Sequence, residues 1–185
     1  MKHKGTETLE SNRLLLRKFT VEDADLMYEN WAKDEDVTQY LTWPAHRNTD
    51  ETRSLLKHWV SQYKELDTYR WCIELKEDEV PVGSISVVSL DSRVESAEIG
   101  YCIGKSYWRN GLTTEAVQTV VSFLFDRVGI NRVEAHIDPR NEGSGQVLVK
   151  SGFIYTGLRR QVAVNNRGIC DIMTYELLKE DVLST

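Results

Sequence analysis

The chain has 185 residues, 41% hydrophobic and 28% charged, an ordinary balance for one well-buried core, and no Pro/Gly/Ser-rich linker or break in composition divides it. With 29 acidic against 23 basic residues, the formal net charge of −6 disfavours a generic grip on nucleic acid and suits a positively charged partner such as an amine. No apolar run approaches the ~20 residues that span a bilayer, the start lacks a signal-peptide core, and Cys72, Cys102 and Cys170 are spaced for neither a disulfide framework nor a zinc site, so a reduced, cytoplasmic protein without a metal or a membrane partner is expected.

Asn12 to Phe19, centred on three leucines, reads as a first strand. Thr20-Val-Glu-Asp23 follows as a capping signature for a helix carrying Ala24, Leu26, Met27 and Trp31. Asp34 to Asn48 is irregular and gathers Tyr40, Leu41, Trp43, Pro44 and His46. Such a loop can line a substrate mouth, although lying over the core is the more ordinary fate of any one of its aromatics. A second helix begins near Thr49-Asp50-Glu51 and runs through Leu55, Leu56, Trp59, Val60 and Tyr63.

From Tyr69 the period turns strand-like, with Tyr69 to Leu75, Val82 to Val88 and Ala97 to Ile103 joined by short turns, which favours an antiparallel meander. After Ile103 the chain breaks into a loop and opens a helix near Thr113 or Thr114, where Val117, Val120, Val121, Leu124, Phe125 and Val128 recur at helical spacing and Gly129 offers a stop. Arg132 to Ile137 returns as a strand, so this unit should run parallel and right-handed. Asn141 to Ser151 is a short helix ended by Gly152, and strands Phe153 to Val164 and Cys170 to Leu178 close the chain around an Asn165-Asn166-Arg167-Gly168 turn.

The loop before the central helix has the makings of an anion site. Unpaired backbone N–H groups and the positive end of the helix dipole meet there, Gly111 lets the backbone come close to a ligand, and Arg109 adds a forked charge. A threonine-capped strand-to-helix turn explains the same residues equally well. The loop has neither the Gly-Lys-Ser/Thr ending of a Walker loop nor the glycines of a dinucleotide fingerprint, which disfavours hydrolysis of a nucleoside triphosphate.

Glu98-Ile-Gly-Tyr101, Trp108-Arg-Asn-Gly111 and Thr114-Glu-Ala116 together resemble the acetyl-CoA pyrophosphate loop of the GNAT superfamily, in the branch of the Rim-type (RimJ/RimL) ribosomal-protein N-terminal acetyltransferases. Asn131-Arg-Val133, Asn141-Glu-Gly-Ser144 and Gly152-Phe153 extend the resemblance in the same order. Thr113 departs from the small residue usual there, and Gly143 and Gly145 replace better helix formers at about 1 kcal/mol each. The resemblance implies an α+β fold: a mixed, mostly antiparallel seven-stranded sheet with helices on both faces and a central, splayed parallel pair, in a single GNAT N-acetyltransferase domain over residues 1–185.

It also implies acetyl-CoA as cosubstrate, no metal, and direct attack by a primary amine in a ternary complex. Trp108, Arg109, Asn110, Gly111, Leu112, Thr113 and Thr114 would grip the pyrophosphate. Backbone N–H groups of Tyr101, Cys102 and Ile103 would hold the pyrophosphate arm or the thioester carbonyl, Asn141 would bond to the pantetheine arm lying in the gap between the diverging strands, and Ser144 would sit near the sulfur, orienting more than driving. Glu98 is the candidate base, directly or through water, with a strand carboxylate paired to a neighbour as an equal alternative. Tyr175 reads as core first and acceptor lining second, Cys102 as a small buried hydrophobe rather than an acyl carrier, and His136 as a satisfied core histidine. The acceptor would be a protein N-terminus, such as that of a ribosomal protein, or a small amine. A homodimer is left open, and the other functional class is an acyl-CoA sensor or protein-interaction module without turnover.

Overall fold

The computed structural model describes residues 1–183. Short strands β1 (Leu9–Glu10) and β2 (Leu14–Arg17) lead into a helical stretch that contains α1 (Ala24–Met27), followed by α2 (Glu35–Thr38) and α3 (Thr49–Gln62). The meander β3 (Arg70–Leu75), β4 (Val80–Asp91) and β5 (Ser96–Ile103) comes next, then α4 (Leu112–Phe123), β6 (Arg132–Ile137) and α5 (Glu142–Lys150). Strands β7 (Ile154–Asn165) and β8 (Gly168–Leu178) form a hairpin, and α6 (Lys179–Leu183) ends the described chain.

The strands make one sheet in the order β1-β2-β3-β4-β5-β6-β8-β7. All seven expected strands are present. The sheet gains an eighth, β1, a two-residue strand paired Leu9↔Leu16 and Glu10↔Leu15, too short to leave a periodicity in the sequence. Only β5 and β6 run parallel; every other pair is antiparallel.

Helices cover both faces, which is why β3 reads as a continuous apolar run. Trp71 and Ile73 point into a core with Leu14, Leu16 and, from α4, Val117 and Val120, while the intervening Cys72 joins Phe19, Met27, Trp31 and Leu56 on the opposite face. The helix starts follow their capping chemistry: the Asp23 carboxylate accepts the Thr20 N–H at 2.7 Å, and the Asn48 side chain accepts the Glu51 N–H at 3.0 Å. At α4 the helix begins at Leu112, and its cap is Gly111 with φ 75° rather than a threonine. A π-helical turn, Leu124–Val128, carries it on to Gly129 at φ 81°.

Two irregularities shape the middle of the sheet. Glu95, at φ 51°, turns its carbonyl to the N–H groups of Asn131 (2.8 Å) and Arg132 (3.2 Å), which brings β6 alongside β5. Parallel pairing then lasts only three residue pairs, Ser96↔Arg132, Ala97↔Val133 and Glu98↔Glu134. Opposite that point β4 carries a bulge, with Val87 facing Ile99, Ser89 facing Glu98 and Val88 left over. A bulge bends its own strand and adds twist, so β4 turns beside the point where the pairing of β5 to β6 stops.

Arg17 ties the sheet to the first helical stretch, with Nη2 at 2.7 Å from Asp23 and Nε at 2.6 Å from Glu74. The Asp23 hydrogen bond, first among its causes, pushes the Arg17 pKa up. Removing the guanidinium would leave two nearly buried carboxylates without their cation. Arg17→Met is expected to cost about 3 kcal/mol, a fall in Tm of roughly 6–12 °C in a calorimetric scan, whereas an unchanged Tm would show that the cluster contributes nothing.

Candidate active site

The loop from Trp108 to the start of α4 is held open from behind. Glu115, in the first turn of α4, accepts from Arg13 Nε (2.7 Å), the Arg13 N–H (2.7 Å) and Ser11 Oγ (2.7 Å), while Arg13 Nη1 donates to the Asn110 carbonyl at 2.9 Å. The Trp108 indole N–H donates to the Ile103 carbonyl at 2.9 Å and pins the loop's first residue to the end of β5. Arg109 sits at φ 63°, a strained conformation for a residue with a side chain, and Gly111 at φ 75°.

The consequence is a row of free donors. Among the described residues, no backbone N–H from Arg109 to Thr114 donates to a protein acceptor, and the Arg109 guanidinium is exposed and unpaired. Leu112 is buried, so only its N–H faces the loop's concave side, while Thr113 and Thr114 are half-buried. Free amides at a helix start, with the helix dipole behind them, suit a diphosphate.

From this cradle the gap between β5 and β6 leads across the sheet. Strand alternation puts Glu98 and Cys102 on the α1–α3 side and Tyr101 and Ile103 on the α4–α5 side. Past Glu98 the edge of β5 that faces β6 has no strand partner, which leaves the backbone on that edge between Tyr101 and Ile103 open apart from the Ile103 carbonyl held by Trp108. On the α5 side the Tyr101 hydroxyl lies 2.9 Å from Ser144 Oγ and donates to the Ser144 carbonyl at 3.2 Å. Asn141 caps α5, its Oδ1 accepting the Ser144 N–H at 3.3 Å. Burial pushes the Tyr101 phenol pKa up, so this hydroxyl is a proton donor or orienter and not a base.

A cavity of about 320 Å³ reaches through the gap, bounded by Glu98 and His136 from one face and Tyr101, Asn141 and Ser144 from the other. The expectation that His136 is a satisfied core histidine is corrected here. It shares a face with Glu98 and lines the cavity, with Nδ1 3.3 Å from Glu98 Oε1 and about a quarter of the side chain exposed. Tyr175 is a core residue at 8% exposure. Cys102 lies 3.4 Å from Ser84 Oγ and burial pushes its thiol pKa up, which suits a packed side chain and opposes a thiolate carrier.

The cavity roof joins two segments far apart in sequence. The Asn166 amide at the β7–β8 turn donates to the carbonyls of Thr38 (2.8 Å) and Trp43 (2.7 Å), and the Tyr40 hydroxyl donates to the Arg140 carbonyl at 3.0 Å. Asp138 is buried beneath, accepting from Arg140 Nη2 at 2.6 Å and Asn165 Nδ2 at 2.8 Å, and the guanidinium holds its carboxyl low, at about 2. The loop's aromatics divide their work: Tyr40 and Leu41 line the cavity, while Trp43 packs on the core and against His46, ring centroids 5.3 Å apart. Sequence reasoning missed Tyr101's side chain, Arg13, Asp138 and Arg140. Strand alternation could have placed Tyr101 opposite Glu98; nothing in the sequence marks Arg13.

A helix start with free amides, joined by an open strand edge to a cavity with a carboxylate and an imidazole, suits a transferase whose donor is a long, thin CoA thioester. The chain belongs to the GNAT acetyltransferases, whose domain model matches residues 13–154. It is 33% identical over 171 residues to an uncharacterized N-acetyltransferase, YoaA, of Bacillus subtilis, covering 92% of this chain and 96% of that one. It is 27% identical to the ribosomal-protein-serine acetyltransferase of Escherichia coli over 92% of this chain and 96% of the relative. It shares the fold of RimJ from Mycobacterium smegmatis, solved with CoA-disulfide, at a TM-score of 0.88 and 21% identity over 98% of this chain and 92% of that one. The protein is thus an acetyl-CoA-dependent N-acetyltransferase. Among the described residues no cluster of three metal-ligating side chains occurs and no helix is long and apolar enough to cross a membrane.

Valine at position 111 would force a β-branched side chain into φ 75° and distort the row of amides. Gly111→Val is expected to weaken acetyl-CoA binding at least about tenfold in a calorimetric titration while the circular dichroism spectrum stays native; undiminished affinity would show that the cradle lies elsewhere.

His46 supports the roof loop from below, with Nδ1 2.7 Å from Thr52 Oγ1 and its N–H donating to the Ala32 carbonyl at 2.8 Å. Burial lowers its pKa, so the unfolded chain takes up a proton as pH falls through ~6.5 before the folded one does. Its contribution is complete above that pH and lost below it. His46→Gln is expected to flatten the decline in Tm between pH 7 and pH 5, and equal slopes in melting curves would refute the assignment.

Proposed function

We propose that the chain acetylates a primary amine presented in the 320 Å³ cavity, either the α-amine of a protein N-terminus, as the name of the Escherichia coli relative suggests, or a small amine, by direct attack in a ternary complex. The observation that carries this reading is the abrupt end of β5–β6 pairing at Glu98, which puts a carboxylate, an unpaired backbone edge and the cavity at one point. Acetyl-CoA supplies the activated acetyl group as a thioester.

Trp108, Arg109, Asn110, Gly111, Leu112, Thr113 and Thr114 are assigned to the diphosphate, chiefly through the free N–H groups and the Arg109 guanidinium. The unpaired edge at Tyr101, Cys102 and Ile103 and the Asn141 amide are assigned to the arm, and an N–H aimed at a developing oxyanion is commonly worth ~3 kcal/mol. Ser144, oriented by Tyr101, stands at the sulfur end, where a thiol pKa near ~8.5 makes the leaving group tolerable without a strong acid.

The attacking amine must first lose a proton. A protein α-ammonium has a pKa near ~8 and is partly neutral at cell pH, whereas a lysine near ~10.4 needs more help. Glu98, half-buried in the cavity wall, supplies this function directly or through an intervening group.

Incubation with acetyl-CoA and a panel of amines and short peptides with free N-terminal serine or alanine, followed by thiol release, tests the proposal. Release with at least one acceptor is expected, and Glu98→Gln should lower kcat about 10²–10³-fold with unchanged acetyl-CoA affinity. Tight acetyl-CoA binding without release for any acceptor would instead identify a sensor.

A further inference from the structure

We infer that His136 is the proton acceptor of the transfer reaction and that Glu98 acts through it as a positioning residue. This rests on the reading of the cavity as the acceptor site and divides between two side chains the role given there to Glu98. Both residues stand on the splayed strands and face the same cavity, and Glu98 Oε1 approaches the ring at Nδ1, 3.3 Å away. A carboxylate at one ring nitrogen favours the tautomer with its hydrogen there and leaves the other nitrogen as an acceptor. His136 Nε2 has no hydrogen-bond partner among the described residues and is not among the buried, unpaired polar atoms, so it opens to accessible space in the cavity wall.

Geometry favours the imidazole: Glu98 Oε1 is turned to Nδ1, while Nε2 is without a partner among the described residues. In the proposed step the ammonium N–H bond breaks and an Nε2–H bond forms on His136, giving a neutral amine and an imidazolium whose charge faces Glu98. The amine lone pair then attacks the thioester carbonyl, the C–S bond breaks to release CoA as a thiolate that takes up the second proton of the attacking nitrogen, and the imidazolium proton leaves to solvent through the exposed part of the ring. The remaining titratable or charged groups around the cavity are Tyr40, Tyr101, Asp138, Arg159 and Cys170. Asp138 is committed to Arg140 and Asn165, and Tyr101 to Ser144, which leaves Glu98 as the carboxylate against the ring. Glu134, on the same strand, is bound to Arg132.

The first test needs no acceptor. In the full-length protein labelled with 15N-histidine, long-range proton–nitrogen spectra at pH 8 are expected to show neutral His136 protonated on Nδ1, and Glu98→Ala should shift the population towards Nε2–H. An Nε2–H tautomer in the unaltered protein would overturn the proposal. In the acetyl-transfer assay, His136→Gln should lower kcat about 10²–10³-fold with unchanged KM for acetyl-CoA, and added imidazole should restore part of the activity of His136→Ala. Unaltered kcat in His136→Gln, or no rescue of His136→Ala, would overturn it too. If the unaltered enzyme acetylates nothing in the panel, the acceptor reading fails by itself and the tautomer still decides the dyad.

Discussion

Past Glu98, β5 continues for five residues with no strand paired to its inner edge, because β6 has already diverged. Buried backbone donors and acceptors must be met by some partner, and an interrupted pairing in the middle of a sheet is therefore a place built for one. The Val88 bulge lies on β4 opposite that point, and Glu95 brings β6 alongside β5 for the three residue pairs before it. The free helix start of α4 lies at one end of the gap and the cap of α5, with Asn141 and Ser144, at its side.

Charge is sorted along the same line. At the loop end the chain offers donors and a free guanidinium, and the carboxylate of Glu115 is turned backward onto Arg13 so that it supports the loop without facing an anion. At the far end the cavity presents Glu98 and His136, a pair that can draw a proton from a cationic amine. The donor loop suits a negatively charged cosubstrate, and the carboxylate in the cavity a positively charged acceptor. The acidic overall charge acts in the same sense for an amine approaching from solvent.

The acceptor side depends on long-range bonding. Asn166 joins the hairpin turn to a loop more than 120 residues earlier, and Asp138 holds Arg140 beneath Tyr40. Each donor and acceptor involved is a common polar residue in a turn, without any local pattern to mark it. The Asp34 to Asn48 loop could therefore be recognised in the sequence as aromatic and irregular, but not as the roof of a cavity. His136 was misjudged for a related reason: alternation places it on a face, while its partner Glu98 lies on another strand, and their meeting depends on how far apart the strands are when they part.

The sequence by itself determined the order of seven strands and the main helices, the capping signature at Thr20, the helix start at Asn141, the glycine stops at Gly129 and Gly152, and the loop from Trp108 to Thr114, because periodicity, capping and left-handed turns are properties of neighbouring residues; β1 and α2 are too short to leave a pattern. It left undecided whether that loop was an anion cradle or a threonine-capped turn. Tertiary structure removes the threonine cap by setting Gly111 in its place, draws Glu115 away to Arg13 and leaves the amides without protein acceptors among the described residues. It also decided which side chains share the cavity, since strand separation, bulge position and the roof contacts are set by packing between segments that no local pattern relates.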